Sequence, residues 1–432
     1  MSTSNSNSIT NQPQPQPQPP QENTHRASLS SFVSRLLTGL LSVFLLPCRR
    51  ALSFISGNPK PCEIVSSATA LPTDDQSSYS LFSSFPDDIV LNCLARVPRR
   101  YYPTISGVSR HFRSLVRSPE LADIRSLVSR DNVIFYVCFM EYYTSLEKCH
   151  WFTLNPNDKE TGGILNSVEV LSKEMLYSTS SVSIGYKIYF VGGSSLNPSS
   201  GLWIFDSWSG QLCEGPRMKV ARSRPGVAVI DEKIYVMGGC YIDEIQVEEV
   251  FDPKTQTWDT GPYKMRPYRG INVAEVVALE GKVYCMMSFT SGNHIIYDPK
   301  DCSCETFKTV TNEAIWRRGA LCVINSVIYY YNINRGIMWF DSKDKVWREV
   351  KGFDTLDKKD VMVGMADCNG KLGFLWGGPG AGSMADGIRG LWFAMIALDR
   401  SGVEIHATVE RSHLVGSVPN SYGFWSCLSV SY

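Results

Sequence analysis

The segments Ile234-Tyr235-Val236-Met237-Gly238-Gly239 and Phe251-Asp252-Pro253-Lys254-Thr255-Gln256-Thr257-Trp258 decide the fold of this 432-residue chain. An apolar-Tyr-apolar triplet reads as a strand, because such residues suit a pleated, half-buried surface. Asp-Pro starts a turn, and Trp258, six positions after Asp252, reads as the packed residue of the returning strand. Both elements recur in step. The triplet returns as Phe135-Tyr136-Val137, Ile188-Tyr189-Phe190, Val283-Tyr284-Cys285 and Ile328-Tyr329-Tyr330, with a weaker copy at Leu372-Gly373-Phe374. Successive spacings from Tyr136 are 53, 46, 49, 45 and 44 residues. The hairpin returns as Asp206 with Leu212, Asp298 with Cys304, Asp341 with Trp347 and Asp399 with Ile405.

A period of this length holding about four strands predicts a blade of a β-propeller. Six blades are counted. The first lacks an opening strand of its own, and Phe424–Tyr432 is an orphan strand at the end of the chain. Pairing the two closes the ring over residues 132–432. The repeats resemble the kelch family. Gly192-Gly193, Gly238-Gly239 and Gly377-Gly378 match its double glycine, which the resemblance places where the chain turns tightly beside a neighbouring blade. Met287-Ser288 and Tyr331-Asn332 replace the pair in two degenerate copies.

Ahead of the repeats, residues 81–130 carry three helical stretches. Pro86 opens the first, with Asp87 and Asp88 favourable to the helix dipole and Ile89, Val90, Cys93, Leu94 and Val97 on one face. Pro103-Thr104 opens the second, whose stripe is Ile105, Val108, Phe112, Leu115 and Val116. Ser118-Pro119-Glu120 starts the third. The run Phe85-Pro-Asp-Asp-Ile-Val-Leu-Asn-Cys-Leu-Ala-Arg-Val-Pro98, followed by Val108-Ser-Arg-His-Phe-Arg-Ser-Leu-Val-Arg-Ser-Pro119, resembles an F-box. Phe85 stands where leucine is usual and Phe112 where tryptophan is common. The resemblance implies binding to a Skp-type adaptor, and through it to a cullin complex. Its contact or supporting positions are Pro86, Ile89, Leu94, Val97, Pro98, Val108, Ser109 and Phe112, of which Phe112 also reads as core. Arginines 96, 99, 100, 110, 113 and 117 form a basic rim suited to an acidic adaptor or simply to solvent. The expected fold is thus a small all-α F-box module followed by an all-β six-bladed kelch propeller.

Residues 1–78 are low in complexity, with a Pro-Gln tract at 13–20 that cannot bury apolar area. Leu36 to Pro47 is apolar but too short to span a bilayer as a helix. With its flanks, 32–55, it reads as a mobile helical tail, an interfacial helix at a membrane or partner, or a targeting segment.

The 42 basic residues balance 42 acidic ones, which argues against a general nucleic-acid binder. Thirteen scattered cysteines without a Cys-x2-Cys pair read as reduced thiols of a cytoplasmic or nuclear protein. No metal or other cofactor is expected. A kelch-type propeller enzyme, a metal-dependent lyase or oxidase, is the competing class. Yet His150, His294, His406 and His413 share no ligand spacing, and the Asp repeat is explained by turns. The glycine-rich insert from Gly378 to Gly390 lacks the Gly-Lys-Ser/Thr ending of a phosphate loop and reads as a surface loop.

The family resemblance implies a substrate receptor of a Skp–cullin–F-box ubiquitin ligase, with an F-box scaffold without ligase role as a further alternative. Arg224 and Arg318 each lie 11 residues before their repeat's Tyr, and Arg269 occupies the comparable connection. With Tyr268 and Trp316 they suggest a mouth that captures an acidic or phosphorylated target segment; solvated or carbonyl-capping arginines fit the same pattern.

Overall fold

A computed structural model describes residues 85–97, 101–128, 133–141, 147–157, 164–240, 246–265, 273–287, 293–308, 320–353, 363–378 and 387–431. Residues 1–78, Pro98, Tyr268, Arg269, Trp316 and Arg318 lie outside the described residues. The chain divides into two units, Met1–Leu121 and Ala122–Tyr432.

Among the described residues of 81–130, four helices replace the expected three: α1 (Asp87–Leu94), α2 (Tyr102–Val108), α3 (Arg110–Val116) and α4 (Pro119–Val128). Ser109 divides the second predicted helix. Its backbone is extended (φ −154°, ψ 164°) and its hydroxyl accepts from the Phe112 N–H at 3.1 Å. A serine that captures this orphan donor caps a new helix instead of continuing the old one. In α1 the buried stripe is Val90, Leu91 and Leu94, continued by Val97 just past the helix; Ile89, expected inward, is 41% exposed. It lies on the flank of that stripe, one helical step from Val90. The buried Tyr102 hydroxyl donates to the Leu94 carbonyl at 2.8 Å and ties α2 to the end of α1. His111 Nε2 lies 3.1 Å from Asp87 Oδ1, joining α3 to the first turn of α1.

In the second unit the described strands form six four-stranded antiparallel sheets. Blade 1 holds β1 (Val133–Glu141), β2 (Cys149–Leu154), β3 (Asn166–Ser167) and the last strand, β24 (Tyr422–Ser431). Blade 2 is β4 (Ser180–Ile184), β5 (Lys187–Val191), β6 (Leu202–Asp206) and β7 (Gln211–Glu214). Blade 3 is β8 (Gly226–Ile230), β9 (Lys233–Met237), β10 (Gln246–Asp252) and β11 (Thr257–Met265). Blade 4 is β12 (Val273–Leu279), β13 (Lys282–Met287), β14 (Asn293–Asp298) and β15 (Ser303–Lys308). Blade 5 is β16 (Leu321–Ile324), β17 (Val327–Asn332), β18 (Gly336–Asp341) and β19 (Val346–Glu349). Blade 6 is β20 (Val363–Cys368), β21 (Lys371–Gly378), β22 (Ile388–Ser401) and β23 (Glu404–Pro419).

The first strands touch one another around a ring, in the order β4, β8, β12, β16, β20, β24 and back to β4. β24 therefore supplies the innermost strand of blade 1. It pairs with β1 from Val133↔Ser431 to Glu141↔Tyr422, with one bulge at Cys138/Phe139.

The hydrophobic core lies between blades. Its clusters join blades 2 and 3, 3 and 4, 4 and 5, 5 and 6, and 6 and 1. The repeated tyrosine and the aromatic residue before the repeated aspartate are the two sides of this contact. Tyr136 meets Phe205 at 6.0 Å between ring centroids, Tyr189 meets Phe251 at 6.2 Å, and Tyr284 meets Phe340 at 6.0 Å. The weak copy at Gly373 has a physical cause: a Cβ there would lie 2.4 Å from Phe135 Cζ, because a ring of blade 1 fills the space.

The aspartates act as turn formers. The Oδ1 of Asp206, Asp252, Asp298 and Asp341 accepts, respectively, from the backbone N–H of Trp208, Lys254, Lys300 and Lys343. Asp399 departs from this pattern. It sits within the β22 ladder, paired with His406, and the turn comes later, between Ser401 and Glu404. The glycine pairs also differ in role. A Cβ on Gly193 would lie 2.2 Å from Asn197 O, and one on Gly239 2.5 Å from Ser223 O. Gly377 and Gly378 instead continue the ladder, pairing with Leu391 and Gly390, so the ends of the predicted insert are strand.

Deleting Phe424–Tyr432 removes most of β24 and opens the ring. The truncated chain is expected to aggregate and melt earlier, as size-exclusion chromatography and thermal melting would show. His294, buried in β14 against Phe307 at 5.1 Å, is pushed down by burial from 6.5 to about 4. The unfolded chain therefore takes up this proton first. The associated stability is complete above pH 6.5 and is lost as pH falls towards 4. Melting of His294→Phe at pH 7 and pH 5 should show a smaller acid loss than the parent.

Candidate functional site

In an antiparallel blade the turns alternate between the two ends. The loop from second to third strand and the connection into the next blade therefore share one end. The described part of the predicted arginine mouth, Arg224, is on the connection from β7 to β8 at this end, and Arg222 lies two residues before it.

The two arginines have different roles. Arg222 is fully buried and paired with the equally buried Glu249, its Nη2 3.0 Å and its Nε 3.2 Å from Oε1. Nη1 donates to the Gly238 carbonyl at 2.8 Å, and the other Glu249 oxygen accepts from the Lys219 N–H at 2.7 Å. Every part of this pair is spent on holding the connection to blade 3. Arg224 is half-buried. Its Nη2 donates to Glu147 Oε1 at 2.5 Å, and its guanidinium lies 4.9 Å from the ring centroid of Trp425 on β24. Arg224 thus bridges the entry to blade 3 and the loop of blade 1, with its charge already matched.

This corner is also where the backbone is strained. Among the described residues, twelve non-glycine positions have left-handed φ. Nine are in the hairpin turns between strands of a blade; the others are Glu147 (47°), Ser178 (54°) and Arg224 (46°). Such conformations cost about 1–3 kcal/mol each and persist where the surroundings over-determine them. The three meet. Burial by itself would raise the Glu147 carboxyl, but hydrogen bonds from Ser195 and Ser178 and the charge of Arg224 outweigh it and hold the group below its usual range. Ser195 Oγ donates to Glu147 Oε1 at 2.7 Å, and the Ser178 N–H donates to Cys149 Sγ at 3.3 Å.

Beside this corner a groove of about 320 Å³ opens between the loop of blade 2 and the connection from blade 1. Glu147, Glu174, Met175, Leu196, Trp203 and Glu214 line it together with Arg217. The inner strands enclose a second cavity of about 180 Å³ on the ring axis, lined by Ser180, Ser181, Glu275 and Ser426 among others. Sequence reasoning missed the groove, because its walls come from four separate stretches and no local motif marks them.

On the helical unit, Pro86 and Ile89 are exposed, and Val108 and Ser109 are half-buried. Leu94, Val97 and Phe112 are buried and hold the helices together. Among the described residues no cluster of three or more His, Cys, Asp or Glu side chains converges with metal-binding geometry.

The helices and the ring match known families. The F-box domain model covers residues 82–123, and that of the FKB95 Kelch-repeats domain covers 151–416. The chain belongs to the F-box/kelch-repeat family. F-box/kelch-repeat protein At2g22030 of Arabidopsis thaliana is 57% identical over 400 residues, spanning 89% of this chain and 100% of the relative. F-box/kelch-repeat protein At2g44630, from the same plant, is 40% identical over 370 residues, 83% of this chain and 96% of the relative. At2g44700 is 38% identical over 354 residues, 81% and 93% of the two chains. In this family architecture F-box domains generally bind Skp-type adaptors and kelch propellers bind target proteins. β1 and β24 fall outside the matched kelch span, although both belong to the ring.

Glu249→Gln leaves the Arg222 charge buried without its counter-ion and should cost about 3–5 kcal/mol in chemical denaturation. Arg224→Ala, at a partly solvated pair, should cost about 1 kcal/mol.

Proposed function

We propose that the chain is the substrate-recognition subunit of a Skp–cullin–F-box ubiquitin ligase. The helices α1–α4 bind a Skp-type adaptor, and the propeller holds a target protein for ubiquitination. The observation that carries this reading is the joining, in one chain, of an F-box with exposed Pro86 and Ile89 to a closed propeller whose connector end carries a built corner and groove. Pro86, Ile89 and Val108 are the adaptor contacts, while Leu94, Val97, Ser109 and Phe112 support them from within. The chain contributes recognition rather than catalysis, in keeping with the family. Thirteen cysteines without pairing motifs favour the reducing cytoplasm or nucleus as its place of action.

An Ile89→Asp variant tests the reading. A charge placed on the exposed flank of α1 should abolish co-purification of the Skp-type adaptor and cullin without moving the melting temperature. Retention of the adaptor would overturn the assigned interface. Loss of the adaptor with accumulation of a bound protein would support the ligase reading.

A further inference from the structure

We propose that the groove between blades 1 and 2 is the docking site for a short extended segment of the target protein. That segment carries one apolar anchor residue next to lysine or arginine. The inference rests on the propeller being the target-holding part of the chain, and it names the chemistry of what is held.

Three observations converge on the groove. First, its rims carry exposed apolar side chains. Leu196, on the loop between β5 and β6, is 76% exposed, and Met175, on the connection from blade 1, is 47% exposed. Other exposed large apolar residues, such as Ile164, Val403 and Ile388, are scattered elsewhere; these two face one cavity. Trp203, half-buried, adds an aromatic wall, and Gly193 and Gly201 leave part of the lining free of side chains. A volume of about 320 Å³ accommodates one large side chain and its neighbours.

Second, the ionisable lining is acidic. Glu147, Glu174 and Glu214 supply three carboxylates against the single guanidinium of Arg217. Arg217 is already paired with Glu214 at 2.7 Å, and Glu147 with Arg224. Glu174 is exposed on the rim. A cationic residue beside the apolar anchor completes this arrangement, whereas an acidic or phosphorylated segment meets like charge.

Third, the walls are rigid where they meet. Ser195, next to Leu196, is hydrogen-bonded to Glu147, which Arg224 anchors to blade 3. The surrounding packing and hydrogen bonds hold Glu147 and Ser178 in left-handed backbone conformations, so little ordering cost remains on this wall when a segment docks.

The test uses the full chain bound to its adaptor and three pools of labelled synthetic peptides, read by fluorescence anisotropy. Each pool carries a central Leu, Phe or Trp, flanked by Lys/Arg, by Asp/Glu, or by phosphoserine. The basic pool should bind at least about tenfold more tightly than the others, with an affinity that falls as salt rises. Leu196→Asp should weaken it about tenfold, and Glu174→Lys about fivefold. Both side chains are exposed, and unchanged melting and adaptor binding would confirm intact folding. Preference for the acidic or phosphoserine pool, absence of any preference, or binding indifferent to both variants overturns the proposal. In those cases a chain that still captures its adaptor leaves the ligase reading standing; loss of adaptor capture by the parent chain would defeat that reading instead.

Discussion

The contact between a tyrosine of one blade and an aromatic residue of the next is the interaction on which the rest of this molecule depends. A single four-stranded sheet cannot bury both of its faces. Each blade becomes stable only when its neighbours cover it, so the ring is stable as a whole. Tyr136 on Phe205, Tyr189 on Phe251 and Tyr284 on Phe340 are three instances of one contact rotated about the axis. Each such pair contributes about 0.5–1.5 kcal/mol beyond the area it buries. At the seam where the chain must return to its start the contact changes hands. Gly373 gives way to the ring of Phe135, and β24 arrives from the far end of the sequence to complete blade 1.

Closure in turn places the connector end. Once the blades are locked, Glu147 from blade 1, Ser178 and Ser195 around blade 2, and Arg224 at the entry to blade 3 have no freedom to relax. The left-handed conformations there are sustained by packing rather than by local preference. Arg222 and Glu249 perform the hidden part of this work, fixing the connection from which Arg224 projects. Functional loops gain precision when a rigid scaffold holds their ends. The groove beside this corner is such a surface, with an exposed rim on an over-determined base.

The helical unit solves a smaller problem with fewer residues. Its buried side chains are those that hold the helices together: Val90, Leu91, Leu94, Val97, Ile105, Phe112, Leu115 and Val116. That leaves Pro86 and Ile89 on the outside of α1. Pro86 sits just ahead of the first turn of α1 and Ile89 on the flank of its buried stripe, so both stay exposed beside the residues that hold the helices together. Family motif positions thus separate into those that make the unit and those that it presents.

Much of the architecture was legible in the sequence because it is written locally and then repeated. The tyrosine strand, the aspartate turn and their constant phase established six blades, and the orphan Phe424–Tyr432 pointed to closure. The helix break at Ser109 was less visible, since an apolar stripe runs on through it and only the capping hydrogen bond divides it. Three things were decided by tertiary structure alone. Arg222 and Arg224 stand two residues apart with similar neighbours, yet one is entombed with Glu249, 27 positions away, and the other pairs with Glu147, 77 positions away. Asp399 kept the sequence signature of a turn but lies inside a longer ladder. The groove joins residues from two blades and the connection between them, and exists only once the ring has brought them together. Periodicity records which residues face a core. Which partner a charge finds depends on distances that only the closed ring sets.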